Sequence, residues 1–267
     1  MAQQKRRSGR VRQGTRWPRL WLACAASLLL CGRFDAPYSG TRRVALEQGW
    51  PFGPGELLTF DLKWQFITAG TATMGVVADR TDSTAWHIQA FARSTGLIDF
   101  FYTVRDSLVA TLDSRTLLPT RFEKRQHEGW YHRDSVYLFD QERRIIHRKT
   151  GAFACSVKVH DMLSALYRVR ASPLVVGRNV TLTVYEGGKL YTAAVNVLRR
   201  ETVTVPAGTF RCVVVEPILQ SEAIFVQKGR IWIWLSDDAR RIPVLMRSAI
   251  PVGKITAELV SYQSPSS

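Results

Sequence analysis

"LLTFDLKWQF", residues 57–66, sets the fold. Leu58, Phe60, Leu62, Trp64 and Phe66 alternate with Thr59, Asp61, Lys63 and Gln65. A period of two gives a strand one dry face and one wet face. The same rhythm runs downstream through residues 70–79, 85–93, 107–113, 120–126, 131–139 and 143–149. These runs recur roughly every 10–13 residues with turn residues between them, as in an antiparallel meander. Further on, "NVTLTVYEGGKLYTAAVNVLRRETVTV" (179–205) holds two strands around Glu186-Gly187-Gly188-Lys189. A Gly-Gly pair between alternating runs marks a tight hairpin, because primed turns need positive φ. "PAGTF" (206–210) makes another turn, and "KITAELVSY" (254–262) is a last strand.

Two segments depart from period two. "HDMLSALYRVR" (160–170) reads as a helix, with Asp161 as its cap and Met162, Leu163, Leu166 and Val169 on one side. "GLIDFFYTV" (96–104) is apolar without alternation, so a helical turn or a loop over one end of the sheet is expected. The fold expected is mainly β. An antiparallel meander forms an open or partly closed barrel or curved sheet, and the short helix at about 160–170 packs on it or plugs one end. A single β-rich domain is expected over residues 50–263, behind an N-terminal segment, residues 1–36.

That segment accounts for much of the charge. The chain has 267 residues and a net charge of +15. Eight of its 37 basic residues and none of its 22 acidic ones lie in residues 1–33, so the remainder carries only +7. A diffuse excess of that size is not a phosphate-binding track, and no nucleic-acid partner is expected. The basic stretch ends at Arg19, and residues 20–32, "LWLACAASLLLCG", carry no charge. A basic region before a short apolar one is the pattern of a secretory signal. The run is short for a membrane span, which needs about 20 apolar residues, although a single anchor helix is the alternative. Cys31 follows a leucine run and is a candidate for lipidation, with Leu30 where lipoprotein signals prefer a small residue. The expected location is exported, periplasmic or outer-membrane associated, with membrane association through the N-terminal segment alone.

Four cysteines are present, and Cys24 and Cys31 belong to that segment. Cys155 and Cys212 remain. In an oxidising compartment they could pair as a disulfide; otherwise they are two separate thiols that pack like small apolar residues. No metal is expected. His127 and His132 bracket "EGWY", but a turn at Glu128-Gly129 would set His132 opposite Arg125, so the two imidazoles need not meet. A thiol nucleophile would draw on Cys155, His160 and Asp161, without any accompanying signature. No G-x-S-x-G, phosphate-binding loop, dinucleotide fingerprint or H-E-x-x-H occurs, and no cofactor is expected.

"IWIWLSDDARRIPVLMR" (231–247) holds the densest cluster of charge. Its first part is apolar at every position, as in a strand that lies between two layers or lines a cavity with one face. Trp232 and Trp234 are expected on opposite sides, one in the core and the other under the helix or at a cavity. Asp237, Asp238, Arg240 and Arg241 read as a turn, with aspartates accepting backbone N–H groups and arginines clamping it. Pro243 then opens the next strand, where a missing N–H is tolerated.

"GELLTFDLKW" with "AGTATM", then "FFYTVRDSL", "DMLSALYRVR", "VPAGTFRCVVVEP", "IWIWLSDDARRIPV" and "GKITAELVSY" resemble the bacterial family called domain of unknown function 3108. The order and spacing cover roughly residues 50–263, and the shared cluster includes Trp234, Asp238, Arg241 and Pro243. The resemblance implies an exported or envelope-associated β-rich protein and assigns no reaction. Three functional classes follow, in this order. The first is a non-catalytic envelope protein that holds an apolar or lipid-like ligand in its curved sheet. The second is a structural or assembly partner of another envelope protein. The third is an enzyme of unassigned reaction.

Overall fold

The computed structural model describes residues 49–220, 230–250 and 253–266. Residues 1–36, with Cys31, lie outside them. Among the described residues, fourteen antiparallel strands form one sheet in the order β8-β7-β6-β5-β4-β3-β2-β1-β14-β13-β12-β11-β10-β9. They are β1 (Leu57–Trp64), β2 (Ile67–Ala78), β3 (Ala85–Ser94), β4 (Arg105–Asp113), β5 (Pro119–Glu128), β6 (Tyr131–Asp140), β7 (Ile145–Arg148) and β8 (Gly151–Ala154). Then follow β9 (Asn179–Glu186), β10 (Lys189–Val205), β11 (Gly208–Gln220), β12 (Arg230–Ser236), β13 (Pro243–Ile250) and β14 (Gly253–Gln263). Two helices among the described residues interrupt the meander, α1 (Gly96–Phe101) and α2 (Met162–Arg170). The alternation that opens the sequence holds through Leu62, with Leu58, Phe60 and Leu62 buried and Asp61 and Lys63 not. Strand β1 ends at Trp64, and Phe66, expected on the dry face, lies exposed in the turn beyond it.

The sheet curls into a barrel without closing. The first and last strands pair through β1 and β14, whereas the outer strands β8 and β9 exchange no ladder. Side chains fill that seam instead. The Tyr185 ring packs 5.1 Å from Tyr137 and 5.6 Å from Phe153, and Lys124 Nζ meets Glu186 Oε1 at 2.9 Å. The chain leading into α2 covers the free edge of β9, with His160 N donating to Thr183 O and accepting Tyr185 N on its own carbonyl. A covered edge cannot template further strands.

Helix α2 lies against the inside of the barrel. Asp161 is its N-cap, accepting from Leu163 N and Ser164 N, while Ser164 Oγ returns a bond to the cap. This reciprocal box satisfies the first orphan donors of the helix. Gly187 and Gly188 both adopt positive φ in the β9–β10 turn, as the Gly-Gly pair requires. The remaining departures are small: β8 is a strand the alternation did not mark, and α1 buries no residue.

Candidate functional site

An apolar cavity of about 170 Å3 lies between the inner face of the sheet and α2. Phe60 and Leu62 of β1, Met74 of β2, Leu108 of β4, Ile233 of β12 and Ala257 of β14 contribute to its wall. Met162, Leu163, Leu166 and Val169 of α2 line it too, the side of the helix that the sequence marked as apolar. Among these walls Ser248 Oγ on β13 is buried and bonds to nothing. An unbonded hydroxyl inside an apolar space is costly, roughly 1–3 kcal/mol, unless a visiting group completes it.

A polar cluster adjoins the same cavity, which Asp106 of β4 also lines. On β5 the inward face reads Phe122, Lys124, Gln126, Glu128, all buried. Gln126 Nε2 donates to Glu128 Oε1 at 3.1 Å, and Asp106 accepts His127 N at 3.0 Å. Burial pushes the Glu128 carboxyl up to about 7, and the nearby charge and hydrogen bond of Asp106 add to this. Asp106 is also raised, chiefly by burial. The pair therefore keeps a proton between two carboxyl groups near neutral pH. Chemically it can hold a proton or accept a donor from a ligand, with the Lys124 ammonium and the Tyr102 hydroxyl near enough to act on Glu128. Sequence analysis missed these groups. Their signal was the alternation of β5, which sets the polar residues 124, 126 and 128 on the same face as Phe122.

The Asp-Asp…Arg-Arg cluster forms the turn between β12 and β13. Ser236 Oγ donates to Asp238 Oδ1 and accepts Ile242 N, each within 2.8 Å. Asp238 also accepts Arg240 N and its guanidinium. Burial alone would raise the Asp238 carboxyl, but these bonds hold it below its ordinary value. Asp237 is shared by Arg200 at 3.0 Å, Arg211 at 3.3 Å and Arg241 at 3.3 Å. Arg241 takes a positive φ of 50°, a conformation that bulky residues rarely adopt. Pro243 is the first residue of β13.

The turn is pinned from within. Arg170, at the end of α2, donates to the carbonyls of Arg240 and Arg241. Its guanidinium also grips Glu56 at 2.7 and 2.8 Å, with neither side chain exposed. It lies 4.8 Å from the Phe52 ring centre and 4.7 Å from that of Tyr167. One cation thus ties the helix, the start of β1 and the charged turn together, and closes the end of the barrel opposite the β1–β2 turn.

Two sequence expectations need correction, and the two alternatives left open for Cys155 and Cys212 are decided. Trp232 and Trp234 do not point to opposite sides. Both pack against the same core cluster, because residues two apart in a strand share a face. Ile231 and Ile233 take the other face and line the cavity. Cys155 and Cys212 do not pair: both thiols are free, Cys155 donating to Arg144 O beyond the end of β8 and Cys212 buried within β11. His132 faces His127 and not Arg125, because Gly129-Trp130 is the turn and Glu128 pairs with Tyr131. The two imidazole rings meet edge to face, 4.7 Å apart. Cys155, His160 and Asp161 form no constellation: His160 bonds to Ser164 Oγ, and Asp161 serves as the cap.

The family model for proteins of unknown function DUF3108 matches residues 59–260. The chain belongs to this family. No curated protein matches it. Among solved structures, the β-barrel-like DUF1849 protein of Brucella abortus superposes with a TM-score of 0.58 at 9% identity, over 80% of this chain and 99% of that one. That likeness shows a shared barrel-like fold. A hypothetical protein of Chlamydia trachomatis reaches a TM-score of 0.38 at 8% identity, covering 81% and 91%. A protein of Bacteroides fragilis described as a candidate exported protein with a YmcC-like fold reaches 0.36 at 13% identity, covering 81% and 99%.

Proposed function

We propose that this DUF3108 protein is an exported cell-envelope protein that holds an apolar or amphiphilic molecule in its barrel without transforming it. The observation that carries the reading is the cavity of about 170 Å3, walled by apolar side chains around the unbonded Ser248 hydroxyl. Engineered cavities of similar size, about 150 Å3, take up benzene-sized apolar molecules. The space therefore suits one slender apolar chain, with a hydrogen-bonding group toward Ser248 or Asp106. Export is supported by the basic stretch and the short apolar run in residues 1–33.

The test is mass spectrometry of molecules that co-purify with protein taken from its native envelope, compared with Ala257→Phe. Ala257 is buried on the cavity wall, and a phenyl ring there fills the space. A defined lipid or other amphiphile on the wild type, lost from a folded Ala257→Phe, is the expected result. The same adducts on both proteins would end the reading.

A further inference from the structure

Every large apolar side chain that is more than half exposed among the described residues lies at one end of the barrel. They are Phe66, Ile67, Leu97, Phe100, Phe101 and Trp130, and Phe66 and Trp130 are wholly exposed at 97% and 101%. Three consecutive loops carry them. Phe66 sits in the β1–β2 turn beside Ile67, whose partner is Trp64. Leu97, Phe100 and Phe101 belong to α1, which buries none of its residues. Trp130 tips the β5–β6 turn. The register sets these loops side by side: Gly70 pairs with Ser94 at the foot of α1, and Val104 bridges to Glu128 before Trp130. Isolated exposed apolar residues are ordinary, but a contiguous group rimmed by charge marks an interaction surface.

The rim around the group is basic. Arg93, Arg105, Arg125, Arg133 and Lys254 are all exposed on the strand ends at this rim. Arg93 and Arg105 are direct cross-strand partners, a like-charge pairing that costs stability in the isolated sheet. The acids nearby are fewer: Asp99 is bonded to Arg105, Glu123 lies 3.6 Å from Arg125, and Asp134 is exposed on β6.

We propose that this end docks on an anionic lipid bilayer, with the aromatic tips of the three loops in the interface and the arginines against the headgroups. Tryptophan and phenylalanine tips gain by leaving water, and a ring of cations gains from an anionic surface. No helix among the described residues is long and apolar enough to cross a membrane. The docking adds a second membrane contact to any made by the N-terminal segment, and it stands whether or not the cavity is filled.

The test reads Trp130 alone. Full-length wild type and Trp130→Phe are mixed with vesicles of phosphatidylglycerol and brominated phosphatidylcholine, and the difference in fluorescence quenching is taken. The other seven tryptophans, Trp17 and Trp21 of the N-terminal segment and Trp64 near the rim among them, cancel when the difference is taken at lipid concentrations that bind both proteins fully. The Trp130 component should be quenched on these vesicles and much less on brominated phosphatidylcholine alone. It should recover as salt rises from about 0.1 to about 1 M, where the screening length falls from about 10 to about 3 Å. A Phe100→Ser, Phe101→Ser double variant should keep the far-ultraviolet spectrum of the wild type. Its Trp130 quenching should need roughly tenfold more lipid or more. An unquenched Trp130 component would overturn the proposal. So would a component that responds to protein concentration without vesicles, because a second copy would then be the occupant of the rim.

Discussion

Arg170 and Glu56, 114 residues apart in sequence, meet in a bidentate pair of 2.7 and 2.8 Å with no solvent exposure. A buried pair of this kind offsets much of its own desolvation, so its net worth is small while the cost of breaking it is large. The guanidinium also serves two backbone carbonyls of the β12–β13 turn, so helix, strand and turn share one anchor.

Arg170→Met removes the cation from the buried Glu56 carboxyl and leaves it only the Tyr167 hydroxyl, at 3.5 Å. We expect a loss of about 3–5 kcal/mol in urea unfolding, a large part of a typical stability of about 5–15 kcal/mol. The Glu56→Leu, Arg170→Met double variant should recover part of that loss. If the two single losses simply add in the double variant, the pair is not the unit described.

Trp234 is buried, with Arg247 over its ring at 5.2 Å. Trp234→Ala should cost about 3–5 kcal/mol, the range for a large aromatic removed from a packed site. Asp237→Asn should cost about 1 kcal/mol or less, because its arginine partners include exposed ones. Equal losses from the two substitutions would mean that the turn, and not the strand, holds this part of the barrel.

Glu128 gives the barrel a pH signature. Its folded carboxyl is raised from 4.5 to about 7, so between these values the folded state binds more protons than the unfolded one. Its contribution to stability is therefore present below about 4.5 and falls as pH rises toward 7. Glu128→Gln should remove this share of the decline, flattening stability against pH relative to wild type. An unchanged slope would show that the Asp106–Glu128 pair does not hold the shared proton.

Ser248→Ala replaces an unbonded buried hydroxyl with hydrogen. The ligand-free protein should gain about 1 kcal/mol in thermal or urea unfolding, because an unmet polar group leaves the apolar wall. A loss of similar size would show that the hydroxyl is bonded in the empty barrel.

Burial raises the thiol of Cys155, and that of Cys212 up to about 12. Cys212 is fully buried, so iodoacetamide should leave it unmodified until the protein unfolds. Cys155, half-buried, should react slowly in the native state. Non-reducing peptide maps should contain no Cys155–Cys212 crosslink; finding one would contradict the free thiols.

Much of the architecture was written locally. Leu58, Phe60 and Leu62 announced β1, Gly187-Gly188 announced the hairpin, and Asp161 with the apolar side of residues 162–169 announced the helix. The inward polar residues Lys124, Gln126 and Glu128 were equally legible by alternation from Phe122, and so was the shared face of Trp232 and Trp234. His127 and His132 were not, because a one-residue shift in the turn decides which residues meet.

The sequence by itself determined the antiparallel β rhythm, the capped helix α2, the charged turn and the basic N-terminal segment. Each depends on the spacing of residues that are neighbours in the chain, where period and turn chemistry act directly. Only the tertiary structure decided that Glu56 meets Arg170 and that Asp106 shares a cavity wall with Ser248. It alone brought Phe66, Phe100 and Trp130 to one rim. Those relations depend on how far the sheet curls and which strand ends fall together. Curl and closure are set by the packing of the whole sheet against α2, which no local pattern encodes.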